Sequence, residues 1–237
     1  MKQEGKKQQV RQMFNNIAGK YDFLNHFLSL GIDHYWRKVL VKMLKKQYPK
    51  QILDIATGTG DLAISIAKSI PESNIVGADI SEKMLEIGQK KVLKKKLNQQ
   101  ITIELGDSEQ LKYTDKFFDA VTVAFGVRNY EDLDLGLSEM YRVTKDNGSV
   151  YILEFSKPTV FPVKQIYNFY FSYILPTLGK GVSKDNSAYT YLPESVKNFP
   201  DGDHFLKHLS KAGYKSVSQK KMTFGIVSIY NGSKNSL

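Results

Sequence analysis

From residue 51 onward the apolar positions fall into short β-branched runs that alternate with helical patterns, the signature of a parallel sheet covered by helices. The predicted strands are QILDIAT (51–57), NIVGADI (74–80), ITIELGD (101–107), FDAVTVAFG (118–126) and SVYILEF (149–155). Between them DLAISIAKSI, SEKMLEIGQKKVLKKKL and EDLDLGLSEMYRVTK carry apolar residues at helical spacing. Ser81 is a good helix start, because its hydroxyl can accept a first-turn N–H, and DNG at 146–148 is expected to end the third helix. The tail changes pattern. After the helical stretch DGDHFLKHLSKAGY, the segments YKSVSQKKM and FGIVSIYNG read as two strands joined tightly through Thr223, a hairpin that adds antiparallel strands to a mostly parallel sheet. Before the sheet, Val10, Phe14, Ile17, Tyr21 and Leu24 recur at helical spacing among Lys6, Lys7, Arg11 and Lys20, which makes an amphipathic N-terminal helix.

With 237 residues and no internal repeat or Pro/Gly/Ser-rich linker, the expectation is one α/β domain with decorations. The divisions are a helical cap (1–50), a ligand-binding core (51–157), an insertion (158–200) and a closing helix with its hairpin (201–237). There are 34 Lys+Arg against 24 Asp+Glu, a formal +10 that suits an anionic partner such as nucleic acid or phospholipid, or simply a solvated basic surface. Cys is absent, which removes disulfides, thiolate metal sites and a Cys nucleophile and fits a cytoplasmic location. The opening MKQEGKKQQVRQMF lacks the apolar core of a signal peptide, and nowhere are there the roughly 18 consecutive apolar residues of a membrane span. The expectation is therefore a soluble or peripheral protein, with the oligomeric state open, a homo-oligomer included.

The sequence TGTG at 57–60 sits where the first strand ends and a helix begins, the place where open α/β sheets bind ligands. Gly58 and Gly60 let backbone approach a ligand, and Asp79 at the end of the second strand can accept from two ribose hydroxyls. Gly58-x-Gly60-x-x-Ala63 also satisfies a loose dinucleotide fingerprint, so a nicotinamide oxidoreductase is an alternative. Two acids shift the balance. Asp54, inside the first strand, can orient the turn or meet a cationic ligand through water, and Asp107 with Ser108 can grip an adenine amino group. A pyrophosphate is repelled by so many carboxylates, whereas the sulfonium of S-adenosylmethionine (SAM) is not.

ILDIATGTGD, VGADIS and LGDSEQL resemble the first motifs of the class I SAM-dependent methyltransferases, a Rossmann-like fold with a seven-stranded sheet. Three longer stretches, YDFLNHFLSLGIDHYWRK (21–38), FGVRNYEDLDLGLSEMYRVTKDNGSVYILEFSKP (125–158) and YLPESVKNFPDGDHFLKHLSKAGY (191–214), resemble the quinone-biosynthesis C-methyltransferases within that class. The resemblance implies SAM contacts at Thr59, Asp79, Asp107 and Ser108. It also shows a departure, Ala124, where relatives often carry a Ser that contacts the cofactor. The implied reaction is C-methylation of a prenylated quinol, 2-demethylmenaquinol first and 2-methoxy-6-polyprenyl-1,4-benzoquinol second. A basic nucleic-acid methylase is disfavoured, because the aromatic-prolyl tetrapeptide used on exocyclic amines is absent, and no nucleic-acid partner is expected.

C-methylation needs a base or water relay to take a hydroxyl proton and a donor to favour the developing phenolate. Arg128 is the candidate for the phenolate and Asn129 for orienting the ring. The ordinary alternative for Arg128 is a surface ion pair with Glu131 or Asp132. Asp107 through water and Tyr21 are the candidate bases. His204 and His208 stand four apart on one helix, but no acidic partner is evident and no metal is expected. The aromatic stretch from 163 to 198, with its core at Ile166–Leu175 and breaks at Pro176, Gly179 and Gly181, is expected to form a lid and apolar substrate pocket. Lys42, Lys45, Lys46, Lys50, Lys90, Lys91, Lys94, Lys95 and Lys96 would then meet anionic phospholipid on the inner face of the membrane.

Overall fold

The computed structural model of the protein describes residues 5–174 and 187–235, with side chains there except at positions 24, 27, 28 and 187–190. Seven strands form one sheet: β1 (Gln51–Ile55), β2 (Asn74–Asp79), β3 (Ile101–Leu105), β4 (Phe118–Ala124), β5 (Thr144–Phe155), β6 (Lys215–Met222) and β7 (Val227–Ser233). Their order is β3-β2-β1-β4-β5-β7-β6, with β7 antiparallel to both neighbours and the other pairings parallel. This is the mostly parallel sheet with a closing hairpin that the alternation of runs predicts.

Strand residues alternate between two cores. Ile52, Ala120, Tyr151 and Leu153 face one, and Leu53, Ile55, Val121, Val123, Val150 and Ile152 face the other. On the first side pack α2 (Asp33–Lys45), α3 (Asp61–Ser69) and α4 (Glu82–Lys94), and on the second α5 (Leu133–Val143) and a late helix, Asp203–Lys211. Fully buried residues such as Leu53 and Phe118 each contribute on the order of 2 kcal/mol through the water they leave. One of the two edge strands, β6, carries Lys215, Lys220 and Lys221, charges that discourage a further chain from pairing with that edge.

Several boundaries differ from expectation. Ser81 does cap α4, its Oγ accepting from Met84 N at 3.4 Å, but the helix ends at Lys94 and not at Leu97. DNG does not end α5. That helix stops at Val143, where Thr144 turns extended and donates from Oγ1 to Met140 O at 2.6 Å, and residues 144–148 already belong to β5. The hairpin turn is wider than a pivot at Thr223, because Thr223–Gly225 form a 3-10 turn with Phe224 exposed.

The N-terminal helix α1 (Lys6–Leu28) buries Val10 and Ile17 as its pattern predicts and lies against α4. In the insertion, α6 (Val163–Phe169) continues as a π-helical turn (Tyr170–Ile174), and α7 (Ser187–Asn198) follows. Leu175, Pro176, Gly179 and Gly181 of the expected lid lie outside the described residues. Numbering the late helix Asp203–Lys211 as α8 completes the helices used below.

Candidate active site at the strand ends

Beyond β1 and β4 the chain departs toward opposite edges of the sheet, which opens a crevice at their carboxyl ends. The residue just past each strand holds a left-handed backbone: Ala56 at φ 52 and Phe125 at φ 59. Side-chain-bearing residues rarely adopt this conformation, and it gathers at functional sites. The two turns touch so closely that Gly126 cannot be replaced without displacement, since a Cβ there would stand 2.6 Å from that of Ala56.

The crevice is lined by Tyr21, Gly58, Asp79, Asp107, Ser108 and Asn129 among the expected site residues. Asp54 and Thr59 line a smaller recess that shares Tyr21, Ala56, Gly58 and Ala124 with it. Gly60, at φ 81, caps α3 behind these walls, and neither it nor Arg128 lines either space. Ala124 does stand on the wall, so the hydroxyl missing from this sequence is missing at the site itself.

Buried Asp54 accepts from Thr57 Oγ1 at 2.7 Å and Thr122 Oγ1 at 2.8 Å, so it props the glycine turn from beneath; burial raises its pKa to about 6. Asp79 accepts from the N–H groups of Gly58 at 2.8 Å and Ser81 at 2.9 Å, and burial raises its pKa as well. It therefore stands between the glycine turn and the start of α4. Thr59 Oγ1 donates to Asp22 Oδ1 at 2.5 Å, and Lys91 Nζ reaches both residues. Lys91 also pairs with Asp61, which removes it from the basic surface to which the lysine count assigns it.

At the other end, Asp107 is held by Lys7 Nζ at 2.8 Å and by the N–H of Glu109 at 2.9 Å. With both oxygens engaged, it fits an anchor better than a base. Burial pushes the Tyr21 phenol up to about 12, so near neutral pH it is a hydrogen-bond donor and no proton acceptor.

Arg128 corrects the surface-pair alternative. Its partner is Glu154 at 2.7 Å, a fully buried carboxylate on β5, and its Nη1 also donates to Phe125 O at 2.5 Å. Its guanidinium carbon lies 5.4 Å from the centre of the Phe155 ring. Neither Glu131 nor Asp132 pairs with it among the described residues.

Glu154, Lys7 and Glu109 join the site beyond the expected residues. Glu154 carried a signal, a lone charge inside the apolar run SVYILEF, where a carboxylate needs a buried partner. Lys7 carried none. It reaches Asp107 and Glu109 only because α1 folds over the crevice, where Lys6 also donates to Tyr130 O, Arg11 pairs with Glu82, and Asn15 Oδ1 accepts from Ser81 Oγ at 2.7 Å.

His208, without an evident acidic partner in the sequence, meets Asp134 at 2.5 Å in an ion-pair group with Lys211, while His204 is exposed. His26, Asp33 and His34 also come together. The Asp33 oxygens already accept from Ser29 at 2.7 Å, meet His26 at 2.7 Å and pair with Arg37, which makes this a hydrogen-bonded joint between α1 and α2.

The residues present fit SAM. Among the described residues, carboxylates ring the crevice without a cluster of cations, and Gly58 brings backbone to its wall. A cationic, donor-rich nucleoside matches that set, and a pyrophosphate does not.

Comparison with known proteins agrees. The chain is 49% identical over 232 residues to a demethylmenaquinone methyltransferase of Bacteroides fragilis, covering 98% of this chain and 95% of that one. It is 44% identical over 230 residues to a ubiquinone/menaquinone biosynthesis C-methyltransferase UbiE of Geotalea daltonii, covering 97% of each. Among solved structures, a SAM-dependent methyltransferase from Aquifex aeolicus shares the fold with TM-score 0.59 at 18% identity, over 81% of this chain and 88% of that one. With the ubiE/COQ5 methyltransferase family model matching residues 2–234, the chain belongs to that family.

Proposed function

We propose that this protein transfers a methyl group from SAM to a ring carbon of a prenylated quinol, 2-demethylmenaquinol in the first place. The observation that carries this reading is the junction of two chemistries at one crevice. Its floor is a carboxylate-ringed glycine turn, and beside it Trp36, Phe125, Phe155, Phe171 and Tyr167 form a continuous run of aromatic contacts around Arg128. SAM supplies an electrophilic methyl on a cationic sulfur. Gly58 and Asp79 hold its ribose side, Asp107 and Ser108 its adenine side, and Asp54 keeps the turn in place. Arg128 and Asn129 face the ring oxygens, where donors favour the developing phenolate, and Tyr21 adds a neutral phenol. The new bond joins ring carbon to methyl, the sulfur–methyl bond breaks, and the ring proton leaves to solvent through a water relay.

The same reading places the enzyme at the cytoplasmic face of a membrane, where a prenylated quinol resides. Supporting it, Val160, Phe161, Ile166, Phe169 and Tyr173 are all more than half exposed around α6, and Lys42, Lys45, Lys46, Lys90, Lys94, Lys95 and Lys96 are exposed. No helix among the described residues is long and apolar enough to cross a membrane.

The test is methyl transfer from labelled SAM to two short-chain reduced rings, a demethylmenaquinol and a demethylated benzoquinol, with the oxidised rings as controls. Label in the naphthoquinol is expected. Label only in the benzoquinol moves the substrate to the second pathway, and label in neither, with SAM still bound, overturns the acceptor assignment.

A further inference from the structure

Five buried polar atoms have no hydrogen-bond partner among the described residues: Tyr130 OH, which lies toward Ser108 and Glu109, and four that lie near the insertion, Arg128 Nε, Asn129 Oδ1, Tyr167 OH and Tyr191 OH. Buried polar groups are nearly always paired, so a group of four unpaired ones calls for a ligand that pairs them. They belong together. Burial raises the pKa values of both phenols, and the charge of Arg128 pulls both down; α7, which carries Tyr191, packs against the turn Val127–Asn129. Tyr167 reaches the same place through Phe171, 4.2 Å from its ring centre, and Phe155, over which Arg128 lies.

The helix bearing Tyr167 is turned the opposite way from an ordinary surface helix. Ile166, Phe169 and Tyr173 face outward, 57–66% exposed, while Tyr167 is buried with its hydroxyl unsatisfied. A helix that only sealed the core would bury its apolar face and leave its phenol wet.

The chemistry of the four atoms states what they can recognise. Arg128 Nε–H is a donor only. The amide of Asn129 is fixed by Nδ2 donating to Phe125 O at 3.4 Å, which leaves Oδ1 as an acceptor only. The two tyrosine hydroxyls can do either. A phenolic ring O–H donates to Asn129 Oδ1 while its oxygen accepts from Arg128 or a tyrosine, so the set closes around a hydroquinone. An oxidised quinone has acceptors alone and offers Asn129 Oδ1 no donor.

We propose that Tyr167 and Tyr191, converging with Arg128 and Asn129, are acceptor-binding residues that read the ring hydroxyls and select the reduced ring. This rests on the C-methyltransferase reading above and adds to it the residues of the insertion and their specificity.

The test uses the full-length chain with Tyr167→Phe, Tyr191→Phe and the double variant. Each removes one oxygen and keeps the ring. Because these hydroxyls have no partner among the described residues, the melting temperature should hold or rise and SAM affinity should stay the same. The kcat/KM for a short-chain demethylmenaquinol should fall roughly tenfold per hydroxyl, mainly through KM, and the preference for binding the reduced over the oxidised ring should narrow. Unchanged quinol kinetics, with or without a fall in melting temperature, overturns the assignment and leaves the methyltransferase reading standing. A wild-type enzyme that binds SAM yet methylates neither ring overturns both.

Discussion

The Arg128 guanidinium lies 2.7 Å from the Glu154 carboxylate, with side-chain exposures of 8% and 0%. A charge pair so deep in the protein is costly to break from one side, because the survivor is left unpaired out of water. Burial already raises the pKa of Glu154, and Arg128 opposes that rise.

Arg128→Ala should therefore lose turnover and also about 3–5 kcal/mol of stability, while any chain that remains folded keeps its SAM affinity. Arg128→Lys keeps the charge but loses the planar fork and Nε–H, so turnover should fall at least tenfold with a smaller loss of stability. Arg128→Met combined with Glu154→Gln should recover stability without recovering turnover. Thermal melts beside initial rates decide it, and recovery of both together would make the arginine purely structural.

Lys7 Nζ stands 2.8 Å from Asp107 and 3.0 Å from Glu109, which fastens the start of α1 across the crevice. Lys7 and Asp107 are each about one-third exposed, so their pair is modest and screened by salt. Lys7→Gln should release bound SAM about two- to fivefold faster, and its release rate should depend less on salt than that of the wild type. Trp36, the lone tryptophan, sits 6.1 Å from the Phe125 ring and offers a stopped-flow fluorescence signal. An unchanged release rate would mean that α1 is no gate.

Asp54 titrates at about 6 in the fold against 3.8 in an unfolded chain. A raised folded pKa means that the native state holds the proton more tightly. The associated stability is full below the unfolded value and is lost as pH climbs through about 6, a change of about 3 kcal/mol. Relative to Asp54→Asn, the wild type should accordingly be most favoured near pH 4 and lose that advantage by pH 7. Urea melts of both proteins across this range would show it; a difference that stays flat with pH would mean that the carboxylate keeps an ordinary pKa in the fold.

Phe161 and Phe169 are 77% and 57% exposed beside α6. If they dip into a bilayer, Phe161→Ser with Phe169→Ser should weaken sedimentation with acidic-lipid vesicles about tenfold or more, with SAM affinity unaltered. The wild type should also bind less at high salt. Binding indifferent to lipid charge, salt and both substitutions would remove the membrane from the account.

What could be read along the chain was what is fixed locally. Strand and helix identities follow from periods of two and 3.6, and Ser81 caps α4 because the N–H it accepts is three residues away. The glycine turn, Asp79 and Asp107 were legible for a related reason. In a parallel sheet each strand end returns to the same edge, so motifs one β-α unit apart fall into one crevice. The end of α5 was misplaced because Thr144 leaves the helix to join β5, a gain that belongs to the sheet and not to DNG.

The layered sheet, its closing hairpin and the acids around the glycine turn are legible along the chain, since each depends on spacing within a few residues or within a repeated unit. That Arg128 faces Glu154, that Lys7 holds Asp107, and that the Tyr167 and Tyr191 hydroxyls near Arg128 have no partner among the described residues emerges only from the packed fold. The ion-pair partners lie 26 and 100 residues apart along the chain, and the two tyrosines reach Arg128 through the Phe155 ring and the packing of α7 on the turn Val127–Asn129. Side chains that distant meet only once strand order and helix packing have been fixed by the burial of the core, and one-dimensional periodicity carries no trace of that.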